Sequence, residues 1–401
     1  MNSIALIYQF FTGALGFKMH QHEGKLTGLA SYGNEAEAEE IISEMVNRFM
    51  YEKDGLHFVD EKKLPALTAE EEEQVRVSEI IDFDKFLRLK NAMFGFVDDM
   101  SSIYGRAEIA CALQMYTERE TVGWIKHHLE GKKTEDMICY LSGGLFANVK
   151  LNQRIKETGL FREVAVAPPM GDEGTAIGVT YTCLRMHSSV SIGRRKRSIA
   201  RVLSGSCIED LTNDDIVRLE NEGYKVKKFE SGSYMEQVDD IVAHLANKEI
   251  VCFCRGRMEF GPRALCHRTI LYDCSERETN DWLNKQLGRT EFMPFAPVCL
   301  DRFAKDLFKN IDADVDRTAK FMTMTFDATD EFAENYKAAC HIDGTARPQV
   351  VAVGDCDMFV YGLLRKYFEA TGKKALINTS FNLHNHPIIE SKEVAIDSWK
   401  K

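Results

Sequence analysis

Four arginines, Arg255, Arg257, Arg263 and Arg268, crowd into one short segment, with His267, Gly256 and Gly261 among them. The residues around them are largely apolar, which argues against a freely solvated run. A guanidinium that leaves water needs a partner, and its planar fork matches phosphate or carboxylate oxygens. Two readings are open. In one, Arg257, Arg263, His267 and Arg268 form a catalytic anion-binding loop. In the other, Glu259 and Asp273 close an internal ion-pair network.

Three further segments carry groups of this kind. Arg289 heads the stretch Arg289-Thr290-Glu291-Phe292-Met293-Pro294 and is a candidate nucleotide contact. Asn378, Thr379, Ser380 and Asn382 follow directly on an apolar strand. Their amides and hydroxyls suit phosphate or a small polar ligand, or else close a local turn. In the first half, Ser142-Gly143-Gly144 sits between a strand and a helix, where bare backbone N–H groups meet an anion. Gly171-Asp172-Glu173-Gly174 repeats that geometry after the next strand. Asp172 is there either a metal or nucleotide ligand or a helix N-cap. The pairs His20/His22 and His384/His386 read as loop histidines, and no Ser/His/Asp or Cys/His nucleophile pattern stands out.

The elements that must position these residues alternate. Glu35–Met50 has helical spacing, with Ile41, Ile42, Met45 and Phe49 on one face. The acidic run Glu70–Glu73 reads as a solvated helix start. Ser101–Gly131 is the longest helical stretch, and Ile109, Leu113, Tyr116, Glu120 and Trp124 share its inner face. Strands are expected at 137–141, 164–167, 249–254, 322–326 and 374–378, with helices at 149–157, 216–223, 238–247 and 359–371. This is an α/β chain. Its expected organisation is a first domain over 1–190, a linker over 191–200 carrying Arg194–Arg197, and a second domain over 201–401.

Composition narrows the function. The chain has 401 residues, room for two or three domains. Its net charge of −11, from 51 basic and 62 acidic residues, speaks against a protein that coats nucleic acid. No window approaches 18 consecutive apolar residues, so no membrane span is expected, and the start lacks a secretory pattern. Eleven scattered cysteines without a CxxC pair suggest reduced thiols and a cytoplasmic location. Cys252 and Cys254, two apart on one strand, are expected to diverge to opposite faces and to chelate poorly.

Taken in order, the motifs resemble the carbamoyltransferases of the nodulation-protein-U and antibiotic-tailoring family. The match runs through Glu23-Gly24-Lys25-Leu26-Thr27-Gly28-Leu29-Ala30-Ser31-Tyr32-Gly33, Leu141-Ser142-Gly143-Gly144 with Asn148, and Gly171-Asp172-Glu173-Gly174. Its most specific parts are Gly256-Arg257-Met258-Glu259-Phe260-Gly261-Pro262-Arg263-Ala264-Leu265 and Asn378-Thr379-Ser380-Phe381-Asn382. The resemblance implies an actin/hexokinase-superfamily-like domain lacking its N-terminal part, followed by a YrdC-like domain. The YrdC-like domain of such enzymes makes carbamoyl-adenylate from carbamoyl phosphate and ATP with Mg, and the first domain passes the carbamoyl group to a small-molecule hydroxyl.

On that resemblance, Arg257, Arg263 and Arg268 neutralise phosphates. Asn378, Thr379, Ser380 and Asn382 hold carbamoyl or phosphate oxygens. Gly143, Gly144 and Asn148 cradle the adenylate, Lys25 lies near acceptor or nucleotide, and Asp172 is a ligand of iron (Fe2+). Three departures stand against the pattern. No His-x-x-x-His pair occurs, which leaves Asp172 without its histidine partners, and the family region expected before Glu23 is largely missing. Cys266 stands where the family has glycine, and Met293 where many members have arginine. A second chain supplying the missing region is one expectation, and truncation is another. The alternative functions are a truncated or degenerate nucleotide-binding module and a tRNA-modifying enzyme with similar adenylate chemistry.

Overall fold

The computed structural model describes residues 3–187, 203–230, 232–288, 295–312, 317–354, 358–383 and 386–400. The expected linker with Arg194–Arg197, and also Arg289, Met293 and His384, lie outside the described residues. The chain is a mixed α/β protein. It begins with α1 (Ile4–Ala14), α2 (Glu23–Ala30) and α3 (Glu35–Phe49), then a hairpin of β1 (Met50–Lys53) and β2 (Leu56–Val59). Next come α4 (Ala69–Val77), α5 (Phe83–Ser101) and α6 (Arg106–Leu129). The strands β3 (Ile138–Leu141) and β4 (Glu163–Val166) pair with each other, and α7 (Val149–Glu157) connects them. After α8 (Thr175–His187) the order is α9 (Asn213–Asn221), α10 (Tyr234–Ala246), β5 (Val251–Cys254), β6 (Arg268–Tyr272), α11 (Glu278–Gln286), β7 (Ala296–Leu300) and α12 (Ala304–Leu307). The chain ends with β8 (Phe326–Asp327), α13 (Asp330–Asn335), β9 (Thr345–Ala346), β10 (Gln349–Val351), α14 (Met358–Thr371), β11 (Ala375–Ser380) and α15 (Lys392–Lys400). No helix among the described residues is long and apolar enough to cross a membrane.

Packing divides the chain into two units, residues 1–139 with 143–164, and residues 140–142 with 165–401. The first unit is mostly helical. Ile41, Ile42 and Met45 of α3 are buried, as their spacing requires, and Asn34 caps the helix through its side chain, satisfying donors that the first turn leaves open. Along α6, Ile109, Leu113, Tyr116 and Glu120 go inside, but Trp124 is 52% exposed and stacks on the His128 ring at 3.9 Å. The inward stripe therefore ends one turn early. Phe10 and Phe11 of α1 and Met93 and Phe96 of α5 fill the rest of this core. The acidic run starts α4, which buries nothing and is held by a Thr68–Glu71 capping box, a reciprocal pair of side-chain-to-backbone bonds.

The second unit is built on a five-stranded sheet in the order β10-β7-β11-β6-β5. Only the β10–β7 pairing is parallel. β6, β7 and β11 are buried almost throughout, the pattern of strands covered on both faces. Two expectations need correction here. Only Phe326–Asp327 of the strand expected at 322–326 forms. Met322 takes a left-handed backbone, and Thr323 folds back to the Thr318 carbonyl, which is incompatible with an extended run. Cys252 and Cys254 do not diverge. Residues two apart on a strand share a face, and both pack against the cluster of Ile270, Phe381 and Ile389.

Candidate functional site

The arginine segment is the connection from β5 to β6, and it is pinned along its length. Backbone bonds join Met258 to Ser206 at 2.8 Å and Ile208 to Gly256 at 3.0 Å. At Gly261 (φ 121°) a side chain would meet the carbonyl of Pro168 at 3.3 Å, so this position takes glycine for space and for backbone freedom. Glu259 is buried, and its Oε1 accepts from the backbone N–H groups of Leu265, His267 and Arg268. The four arginines then part company. Arg268 is fully buried, and its guanidinium donates to the carbonyls of Arg255, Gly256, His267 and Ser206. Arg255 lies over the Phe359 ring at 4.4 Å, a cation–π contact. Arg263 is half-buried. Arg257 is exposed, with one bond to the Gly205 carbonyl at 3.2 Å. His267 is buried and directs Nδ1 at the Arg255 carbonyl at 3.0 Å. An acceptor there requires the proton on Nδ1.

The structure brings the end of β11 to this loop. Asn378 donates to the Ala264 carbonyl at 3.0 Å and to Gln349 Oε1 at 2.5 Å, and it accepts from the Thr269 hydroxyl. Its amide is thereby committed to tying β11, β6, β10 and the loop together. Thr379 and Ser380 pair with Ile270 and Thr269 across the β11–β6 register. Asn382 donates to the carbonyls of Leu383 and His386. Cys266, one residue from His267, has a positive φ, the left-handed backbone that favours glycine. Its thiol fits by donating to Gln349 Oε1 at 3.3 Å.

In the first unit, Gly143 (φ 117°) and Gly144 are exposed on the turn before α7. Asn148 is buried and caps α7 through Leu151 N–H at 3.1 Å. Its amide exchanges two hydrogen bonds with Gln114 of α6, at 2.8 Å and 3.2 Å. Gln114 also accepts from the Tyr8 hydroxyl at 3.1 Å, and that hydroxyl lies 2.8 Å from Thr27 Oγ1. Burial pushes the Tyr8 phenol well above its ordinary value, so it stays a neutral donor. Lys25 lies on α2, two residues before Thr27. The network thus ties the helix carrying Lys25 to the helix beginning after Gly144. Thr27 lies within the Glu23–Gly33 motif, but nothing in the sequence joins it to Tyr8 and Gln114, since residues so far apart in the chain give no spacing signal.

Asp172 is exposed and its side chain caps no helix. Among the described residues no group of three or more His, Cys, Asp or Glu side chains is arranged to hold a metal ion. The described donors therefore do not fit an iron centre. Burial pushes the thiols of Cys252 and Cys254 up to about 11 and about 12. Both therefore stay protonated thiols at neutral pH.

Comparison with known proteins agrees with these motifs. Residues 1–181 match the family model "Carbamoyltransferase N-terminus" and residues 242–401 match "Carbamoyltransferase C-terminus". An uncharacterized protein of Methanocaldococcus jannaschii is 30% identical over 410 residues, covering 100% of this chain and 70% of the relative. Nodulation protein NolO of Bradyrhizobium diazoefficiens is 30% identical over 300 residues, 73% of this chain and 51% of that protein. Nodulation protein U of Azorhizobium caulinodans is 32% identical over 278 residues, 69% of this chain and 45% of that protein. The chain thus spans about half the length of the nodulation proteins it matches. The ordered motifs and the two family models together establish that this chain belongs to the carbamoyltransferase family.

Proposed function

We propose that the chain works as an ATP-dependent O-carbamoyltransferase, with an actin/hexokinase-like first part and a YrdC-like second part. Its substrates are carbamoyl phosphate, ATP carrying Mg2+ on its phosphates, and a small molecule with a free hydroxyl. The chemistry balances in three steps. Water takes the phosphoryl group from carbamoyl phosphate, leaving carbamate and inorganic phosphate. A carbamate oxygen attacks the α-phosphorus of ATP and pyrophosphate leaves. The acceptor hydroxyl then attacks the carbamoyl carbon, loses its proton, and AMP leaves.

The observation that carries this reading is the division of labour in the β5–β6 loop. Arg268 is spent on backbone carbonyls, whereas Arg257 is exposed and Arg263 half-buried; on this reading Arg257, with Arg263 beside it in the loop, would meet phosphate. A fixed loop suits a step in which charge grows at phosphorus, since preorganised donors need not reorganise. Thr379, Ser380 and Asn382 at the adjoining strand end would face the carbamoyl oxygens. Gly143, Gly144, Asn148 and Lys25 would serve the adenylate and acceptor in the transfer step.

The test is release of pyrophosphate from ATP by the purified chain, dependent on carbamoyl phosphate. Folded protein that binds ATP and releases none would replace this reading with that of a nucleotide-binding module.

A further inference from the structure

The connection from β5 to β6 is far longer than a tight hairpin turn, yet one side-chain atom gathers its distal half. Glu259 is 4% exposed. Its Oε1 accepts from the backbone N–H groups of Leu265 at 2.6 Å, His267 at 2.9 Å and Arg268 at 3.1 Å. Its other oxygen, Oε2, is buried with no hydrogen-bond partner among the described residues. A buried carboxylate persists only where donors converge on it, and such charge-assisted bonds are stronger than neutral ones. The three donors flank Cys266, which has a left-handed backbone that a residue with a side chain disfavours. The carboxylate therefore holds the turn in a shape the chain would not keep by itself. That turn sets the directions in which Arg263 and His267 leave the backbone.

We infer that Glu259 is the positioning residue of the arginine loop and fixes Arg263 and His267 against β6 through a single carboxylate oxygen. The kinetic consequence rests on the adenylation reading, whereas the structural one does not. The test compares the whole chain with Glu259→Ala, Glu259→Asp and Glu259→Gln. Peptide-level hydrogen exchange follows residues 260–268, and carbamoyl-phosphate-dependent pyrophosphate release gives kcat and KM. In Glu259→Ala, exchange over 260–268 should rise roughly tenfold or more, the loss of one to two net hydrogen bonds, while β11 and β7 exchange as before. KM for carbamoyl phosphate should rise by roughly tenfold as well, with a smaller change in kcat.

Glu259→Asp is one methylene short and should behave the same way. Glu259→Gln keeps an acceptor oxygen in place and should restore most of both. The inference is overturned if exchange over 260–268 is unchanged in the variants. It is equally overturned if the whole unit exchanges faster and activity falls only with the folded fraction, at constant KM. If Glu259→Ala does not fold, the Asp and Gln variants decide between the same outcomes. Should the parent chain release no pyrophosphate, the function reading fails, and the exchange measurement still decides the role of Glu259.

Discussion

At the start of α7, Asn148 and Gln114 hold each other by exchanged amide bonds, Tyr8 and Thr27 extend the network through neutral hydroxyls, and Glu118 at its edge accepts from Gln114 at 2.7 Å. At the end of β5 the arrangement is the reverse. Glu259 and Arg268 are charged, and their described bonds all go to backbone in and around the loop they shape. In the first region the candidate ligand contact, Asn148, is itself part of the scaffold. In the second, Glu259 and Arg268 build the scaffold, and the exposed Arg257 is the candidate to meet a ligand. Stability and function should therefore be inseparable around Asn148 and separable around the arginine loop.

Arg268→Met tests this most severely. It removes four hydrogen bonds that a fully buried guanidinium makes to the carbonyls of the loop and should lower unfolding free energy by about 3 kcal/mol. Urea unfolding measures it. A cost no larger than that of a surface substitution would remove Arg268 from the scaffold. Arg268→Lys should recover little, since an ammonium cannot reach four carbonyls as a planar fork does. Arg257→Ala should show the opposite profile. The unfolding midpoint should stay in place, while pyrophosphate release falls on the order of 10²-fold or more. Loss of stability in proportion to activity would contradict the separation.

Around Asn148 the separation should vanish. Asn148→Ala removes the cap of α7 and the two bonds exchanged with the Gln114 amide, for a cost of about 2 kcal/mol. Gln114→Ala should cost a similar amount. The double variant should cost clearly less than the sum, because both singles break the same pair. Strict additivity, measured by urea unfolding, would show that the two amides stabilise the unit independently.

Much of this was open to reading from sequence. The limits of α7 follow from a capping asparagine and an amphipathic run, and those of α3 from Asn34 and a buried stripe. The loop and the strand end stand out because arginines, glycines and amides cluster there. The fates of the individual arginines do not stand out. Arg257 and Arg268 are the same residue type in one segment, and only the β5–β6 pairing, with Cys254 opposite Arg268, turns one inward. Glu259 is legible as an acid near arginines, yet it takes backbone N–H groups and no guanidinium among its described bonds. Backbone conformation is equally hidden. Met322 and Cys266 adopt left-handed angles that their side chains disfavour. The network around Gln114 is the hardest to foresee, since Tyr8 and Gln114 lie 106 residues apart.

The smallest expected effect concerns acid, and it divides the two regions by charge. Asp273 of the second unit is 2% exposed and accepts from Lys373 Nζ at 2.5 Å, Tyr367 Oη at 3.0 Å and Ser275 N–H at 3.0 Å. Burial pushes its carboxyl up, but the Lys373 ammonium and the Ser275 bonds outweigh burial and hold it below the usual value. A carboxyl depressed in the folded state contributes stability that is fully present above the unfolded value, near pH 3.9. That contribution is lost as pH falls through the folded value. Asp273→Asn removes the titrating group, so its deficit against the parent should be constant from about pH 5 to 7 and should narrow below about pH 4. Tyr8 and Thr27, which meet through their hydroxyls, do not change charge in that window, so Thr27→Val should keep a constant deficit throughout. Urea midpoints between about pH 2 and 7 for the three proteins measure both slopes. A constant deficit for Asp273→Asn across the acid limb would show that the Lys373 pair adds no acid-sensitive stability to this unit.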